Sequence, residues 1–161
     1  VRPEEYADFM CRIFDRWLDY GPEKLSVRLF DSVLHYMVNG AHTECTLGRK
    51  CNDYIVIEHN GDAFCCDFFV GPEYKLGNIT EENIGKLASS KVKRDFSKRK
   101  TRLDNKCFVC RHKDICRGGC LKDRILLDDD FTAASYLCEG YKKFFDHSLG
   151  KFAALRSRIG R

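Results

Sequence analysis

The sequence predicts an α+β chain in which a short β-hairpin and small helices are gathered around a dense set of cysteines. Three observations carry that expectation. Four thiols fall within fourteen residues, in Cys107-Phe-Val-Cys110-Arg-His-Lys-Asp-Ile-Cys116-Arg-Gly-Gly-Cys120, spaced x2, x5 and x3. Asn60-Gly61 stands between two apolar runs, a strong hairpin signal. Amphipathic patterns of helical period open and close the chain.

Residues 3–20 read as a helix: Pro3 sits in the first turn with Glu4 and Glu5 behind it, and Phe9, Ile13, Phe14, Trp17 and Leu18 recur at helical spacing. Gly21-Pro22 stops it. Lys24 to Phe30 alternates as a strand, with Leu25, Val27 and Leu29 on one side. Asp31 or Ser32 caps a second helix that carries Val33, Leu34, Tyr36, Met37 and Val38 and ends at Asn39-Gly40. Helix–strand–helix is the repeating unit of an α/β barrel, so residues 1–42 read as the last unit of a partial barrel. The chain opens on Val1 already in mid-fold, and the expectation is the C-terminal piece of a longer protein.

Cys45 and Cys51 bracket a five-residue loop, and the hairpin follows over Tyr54 to Phe69. A two-residue loop at Asn60-Gly61 pairs His59 with Asp62, and hence Ile55 with Cys66 and Val56 with Cys65. Cys65 and Cys66 then point to opposite faces, Cys66 sharing its side with Ile55, Ile57 and Phe64. Gly71-Pro72 breaks the strand, a turn is expected at Gly77-Asn78, and Thr80 to Leu87 contains a short helix. Residues 91–102 hold seven Lys or Arg against one Asp, with Phe96 as the only aromatic. That composition reads as a solvated face or a protein dock rather than a nucleic-acid site. A last helix is expected over 139–159, with Tyr141, Phe144, Phe145, Leu149, Phe152 and Leu155 on one stripe.

The 161 residues suit one domain, or one domain and part of another, and a 43% hydrophobic fraction with twelve Phe supports a core. Ten cysteines are about 6% of the chain, below the level of a secreted disulfide scaffold. No apolar run approaches the roughly 20 residues of a membrane span, and no signal peptide is visible, so no membrane partner is expected. Reduced, metal-bound thiolates suit a cytoplasmic setting.

Thiolates this dense cannot all pair as disulfides without strain, whereas a C-x2-C turn aims two sulfurs at one soft metal centre. Gly118-Gly119 lets the backbone crowd against something bulky. The chain therefore reads as built around iron–sulfur clusters. Zinc is the alternative, usually on two C-x2-C pairs a longer stretch apart, but only five residues separate Cys110 from Cys116. Bacterial ferredoxins are the better analogy: the fourth Cys of their run serves the other cluster. Applied here, Cys107, Cys110 and Cys116 hold one cluster and Cys120 turns to a second. A 4Fe–4S core on four thiolates carries about −2. Two would bring the formal net charge of +4 to about zero, so the basic excess reads as counter-charge and no nucleic-acid partner is expected. His35, His42, His59, His112 and His147 show no paired metal spacing and read as structural or surface residues; Cys11 reads as a buried thiol.

The order Cys45-x5-Cys51-x14-Cys66, then Cys107-x2-Cys110-x5-Cys116-x3-Cys120, then Cys138 after seventeen further residues, resembles the SPASM domain of radical S-adenosylmethionine enzymes. Cys66-Asp67-Phe68-Phe69 and Tyr74-Lys-Leu-Gly-Asn-Ile79 are similar, more narrowly, to anaerobic sulfatase-maturating enzymes. The resemblance covers nearly the whole chain. It implies a barrel end over 1–42, a twin-cluster SPASM domain over 43–138 and a C-terminal helix over 139–161. It implies one auxiliary 4Fe–4S cluster on Cys45, Cys51, Cys66 and Cys120, and another on Cys107, Cys110, Cys116 and Cys138. Asp67 matches the family's general base, and its place beside a cluster and an apolar hairpin leads us to expect it desolvated. Where the family has Pro before the ligand, this chain has Cys65, which leaves a swap of ligand between Cys65 and Cys66 open.

The implied reaction oxidises a Cys or Ser of a sulfatase polypeptide to formylglycine, with an electron donor such as flavodoxin or ferredoxin. S-adenosylmethionine and a third 4Fe–4S cluster belong to a preceding domain, since the C-x3-C-x2-C motif they need is absent: Asp123 stands where a third Cys would follow Cys116 and Cys120. The segment alone is therefore expected to be inactive. Two other readings compete, a SPASM peptide maturase forming thioether or carbon–carbon crosslinks and a non-catalytic zinc-binding or regulatory module.

Overall fold

The structure is a computed structural model and describes residues 1–159. Helix α1 (Pro3–Tyr20) begins with the Arg2 backbone amide donating to Glu5 Oε2 at 3.0 Å, and Gly21, at φ 109°, ends it. Its inner stripe is Ala7, Met10, Phe14 and Trp17. Helix α2 (Arg28–Asn39) buries Phe30 and Val33 and ends on Gly40 in the left-handed region.

The strand expected over Lys24–Phe30 is not formed. Residues 22–24 form a turn, Val27 is the extended residue before α2, and the Leu25 carbonyl accepts a 2.7 Å hydrogen bond from Trp17 Nε1. A strand needs a neighbour for its amides; here Phe30 and Val33 gain more by joining a helical stripe. The first 42 residues are thus helix–turn–helix.

The long helix α8 (Cys138–Ile159) lies against α1 and α2. The pairs Asp8–Lys143 and Asp15–Lys151 show that α1 and α8 run parallel. Phe14 is central to the core: its ring centroid lies 4.6 Å from Phe152, 5.3 Å from Phe30 and 5.9 Å from Phe144. The same cluster takes in Leu47 and Ile115, so one core joins the beginning, middle and end of the chain. The expected aromatic stripe of the last helix is packing surface; residues 160 and 161, within the expected C-terminal segment 139–161, lie outside the described residues.

Between these helices sits a three-stranded antiparallel sheet of β1 (Val56–Ile57), β2 (Asp62–Phe64) and β3 (Lys75–Asn78), in that order. The hairpin forms, but one residue out of the expected register: Val56 faces Phe64 and Ile57 faces Ala63. The connection has three residues, closed by Glu58 N donating to Asp62 O at 2.8 Å and Gly61 N to Glu58 O at 2.9 Å. Gly61 takes φ 85°, and Asn60 Oδ1 accepts from the Asp62 amide, an arrangement that favours this longer loop. Where a turn was expected, Lys75–Asn78 instead pairs with β2 through a bulge.

Five short helices complete the fold: α3 (Ile84–Ala88), α4 (Lys91–Arg99), α5 (Asn105–Phe108), α6 (Lys113–Cys116) and α7 (Leu121–Asp128). A second core of Cys65, Phe69, Phe96 and Leu121 fastens α4 and α7 to the hairpin.

Truncating Phe14 to Ala leaves a cavity among four aromatic rings and is expected to cost about 3–5 kcal/mol in urea unfolding. Asp15→Asn is expected to cost less than about 1 kcal/mol, since its pair with Lys151 is half exposed and screened. The hydrogen bond from Lys151, then that from His147, holds the Asp15 carboxyl below its usual 3.8. That contribution is present above pH 3.8 and fades as pH falls through the lower folded value, so the Asn variant should differ from the unaltered chain only above that window.

Candidate metal centres

The residues that carry sulfur are brought to two cavities. The first, of about 360 Å³, is lined by Cys45, Cys51, Cys66 and Cys120, with Asp67, Lys93 and Lys100 also on its wall. The second is narrower, about 30 Å³, and is lined by Cys107, Cys110, Cys116 and Cys138. None of the ten cysteines is in a disulfide.

Local structure explains the partition. Cys107 and Cys110 sit at the two ends of a tight turn, Cys110 N donating to Cys107 O at 3.2 Å, and Asp104 caps α5 below them through the Lys106 amide at 2.7 Å. Cys116 ends α6. Three residues in a row then take left-handed backbone: Arg117 (φ 51°), Gly118 (φ 77°) and Gly119 (φ 67°). The chain reverses there, and Cys120, at the start of α7, comes out on the first cavity. A Cβ on Gly118 would lie 2.5 Å from Arg124 Nη2 and 2.8 Å from Leu103 Cδ2. The bulky group against Gly118 is therefore the Arg124 guanidinium, while Gly118 also lines the second cavity.

Cys65 is buried with Phe69, Phe96 and Leu121 and also touches the first cavity, whereas Cys66 is half-buried on its wall. Cys66 Sγ donates to Asp67 Oδ1 at 3.2 Å, and Tyr54 donates to the same oxygen at 3.4 Å while standing 3.6 Å from Cys45 Sγ. The expectation of a desolvated Asp67 is corrected: the residue is exposed, at the mouth of the cavity, because β2 ends at Phe64 and the Cys66–Phe69 turn carries residue 67 outward.

Burial pushes the thiols up, Cys51 and Cys116 to about 11 and Cys66 to about 12, so without a cation they stay protonated. A bound metal supplies the positive charge that makes buried thiolates tenable. Among the described residues no three of His, Cys, Asp or Glu converge closely enough to hold a single ion. The sulfurs ring cavities instead of meeting at a point, a donor set that fits an extended iron–sulfur cluster better than one tetrahedral zinc.

Several residues at the sites escaped sequence reasoning. The basic segment 91–102 is not simply a solvated face, because Lys93 and Lys100 are buried against the thiol-bearing loops. Lys93, Phe96, Ser97 and Lys100 recur at helical spacing, which was a usable signal. Arg124, four residues after Cys120, gave none, nor did Tyr54. Of the histidines, His112 is buried beside the second cavity and bonds Asp146 at 2.6 Å.

Comparison with known proteins places these observations. Residues 45–111 match the SPASM family, an iron–sulfur cluster-binding domain. The chain is 36% identical over 149 residues to the serine-type anaerobic sulfatase-maturating enzyme of Bacteroides thetaiotaomicron, covering 91% of this chain and 36% of that protein. It is 27% identical over 161 residues to the cysteine-type enzyme of Clostridium perfringens, covering 99% of this chain and 44% of that one. The chain thus spans less than half the length of these relatives. In structure it is similar to native anSMEcpe with bound AdoMet and Cp18Cys peptide, with a TM-score of 0.89 at 27% identity over 99% of this chain and 45% of that one. Residues 45–111 thus resemble an iron–sulfur cluster-binding domain, and the chain as a whole is similar to part of anaerobic sulfatase-maturating enzymes.

Proposed function

We propose that this chain is the auxiliary-cluster portion of a radical S-adenosylmethionine enzyme that oxidises a Cys or Ser of a sulfatase to formylglycine. The observation that carries this reading is the division of nine thiols between two cavities, Cys65 among the five at the first, with a carboxylate, Asp67, on the wall of that cavity. Likeness to sulfatase-maturating enzymes of both serine and cysteine type supports it, as does likeness to a structure with AdoMet and a peptide bound.

In this reading residues 1–42 adjoin the preceding catalytic barrel as a helix–turn–helix, residues 43–138 are the twin-cluster domain and residues 139–161 are the C-terminal segment, helical through Ile159. Cys45, Cys51, Cys66 and Cys120 hold one 4Fe–4S cluster; Cys107, Cys110, Cys116 and Cys138 hold the other. Cys66 rather than Cys65 is the ligand, because the Cys65 side chain is enclosed by Phe69, Phe96 and Leu121. The third cluster and S-adenosylmethionine belong to the remainder of the enzyme, so this segment alone starts no chemistry. A cytoplasmic setting and reduction by flavodoxin or ferredoxin belong to the same proposal.

Formylglycine formation moves one hydrogen atom from the substrate Cβ to the radical derived from S-adenosylmethionine in the rest of the enzyme, then takes the proton of its O–H or S–H and one electron. Ser gives the C=O bond directly, whereas Cys gives C=S, which water hydrolyses to C=O with release of hydrogen sulfide. When bound, clusters with four thiolates each supply one-electron acceptance without an open iron for substrate. This chain's own residues provide the rest. Asp67 takes the thiol or hydroxyl proton on a carboxylate oxygen, and its exposed position leaves it within reach of an incoming peptide. Tyr54 donates to that carboxylate and holds it in place.

Three outcomes are expected. Asp67→Asn in the complete enzyme should leave iron content unchanged and lower formylglycine formation, followed by mass spectrometry of a sulfatase peptide, by about 10²–10⁴-fold. Unchanged turnover would remove the base assignment. Cys120→Ala should reduce anaerobically reconstituted iron from about eight to about four per chain, while the Mössbauer signal of the second cluster persists. Cluster removal by oxidation or chelation should open residues 45–70 and 105–138 to protease, since ligation orders them; equal resistance would contradict that coupling.

A further inference from the structure

Three cations lie inside the protein with no carboxylate against them. Lys93, Lys100 and Arg124 keep 2%, 1% and 2% of their exposure. Among the described residues none of the three forms an ion pair with Asp or Glu. Each donates to main-chain carbonyls instead, among them those of Cys45, Thr46, Cys65 and Arg117, at or beside sulfur-bearing residues. Lys93 Nζ reaches Tyr54 O at 2.7 Å and Cys65 O at 2.8 Å. Lys100 Nζ reaches Thr46 O at 2.7 Å and also the carbonyl of Cys45. Arg124 bonds the carbonyls of Arg117 and Gly118, on the reversal between Cys116 and Cys120, and those of Lys100, Arg102 and Phe131, all at 2.6–3.3 Å.

Carbonyl dipoles satisfy the N–H groups but do not cancel the charge, and an uncompensated buried cation is strongly disfavoured. The compensation has to come from the cavities, since Lys93 and Lys100 stand on the wall of the first. We infer that Lys93 and Lys100 are built-in counter-charges for an anionic cluster in the first cavity, and that Lys100 raises the reduction potential of that cluster. The inference rests on the cluster reading above. A 4Fe–4S cluster on four thiolates carries about −2 when oxidised and about −3 after taking up one electron. A fixed positive charge at short range in a dry site stabilises the second state more than the first. Lys100 bonds the chain at two adjacent carbonyls beside Cys45, so its ammonium is held close to the sulfurs and does not swing into solvent. The cavity beside Asp67 thereby becomes the better electron acceptor, next to the carboxylate assigned to take the proton.

The test is an EPR-monitored redox titration of the anaerobically reconstituted full chain, unaltered and as Lys100→Met and Lys100→Arg, with iron counted in each. Lys100→Met should shift the potential of the first cluster to a more negative value, with the second cluster as internal reference moving less. Lys100→Arg, which keeps the charge, should stay near the unaltered value. Lys100→Met with full iron and an unmoved potential would overturn the inference while leaving the cluster reading intact. Should Lys100→Met fail to assemble the first cluster, Lys100→Arg decides: recovery of iron and potential supports a role for charge, and equal loss shows that only the shape of lysine matters. An unaltered chain that assembles no 4Fe–4S cluster would remove the inference and the functional reading together.

Discussion

The left-handed run at Arg117, Gly118 and Gly119 is the constraint on which the arrangement of the sulfurs depends. Without it α6 and α7 would continue in one direction and Cys116 and Cys120 would line one cavity. With it, two thiols separated by only three residues open onto different cavities, and each cavity acquires donors from distant parts of the chain. Gly118 pays for its backbone freedom by having no Cβ, and the space so left is filled by the Arg124 guanidinium, which bonds the carbonyls of Arg117 and Gly118. Gly119 packs equally close to Ser135 and Tyr141, so the reversal is also pressed against α8.

That contact links the cavities to the aromatic core. Helix α8 begins at Cys138 and within two turns buries Tyr141, Phe144 and Phe145. Cys138 is thus set by the packing of α8 on α1, although α1 contributes no sulfur to either cavity. Leu47, between Cys45 and Cys51, and Ile115, next to Cys116, are members of the same cluster. Side chains whose own burial is ordinary hydrophobic packing fix the backbone that carries the thiols. Sulfur spacing alone would not achieve this, since loops of this length have many conformations to lose.

How much of this was legible in the sequence varies with how local the cause is. The first and last helices follow from periodicity and caps within their own residues, and both formed close to their expected limits. The hairpin signal at Asn60-Gly61 was sound, yet the register slipped by one because the Asn60 side chain and Gly61 close a three-residue loop. The strand expected over 24–30 failed because alternation says nothing about whether a pairing edge exists. β3 was hidden because Gly77-Asn78 looks like a turn, and only the bulged pairing with β2 makes it a strand. The buried lysines were the least visible feature: the carbonyls that receive Lys93 and Lys100 lie 28 to 55 residues away. Two cavities walled by five and four thiols, with exposed Asp67 on the wall of the first, appear only once the chain is folded.

The central claim is that two four-sulfur sets hold separate iron–sulfur clusters, with Cys120 serving the set of Cys66 and not that of Cys116. Anomalous diffraction at the iron edge from anaerobically grown crystals of the reconstituted protein measures this directly. The account predicts two four-iron peaks, one bounded by Cys45, Cys51, Cys66 and Cys120 and the other by Cys107, Cys110, Cys116 and Cys138. A single peak, or one in which Cys120 and Cys116 share the same iron centre, would contradict it.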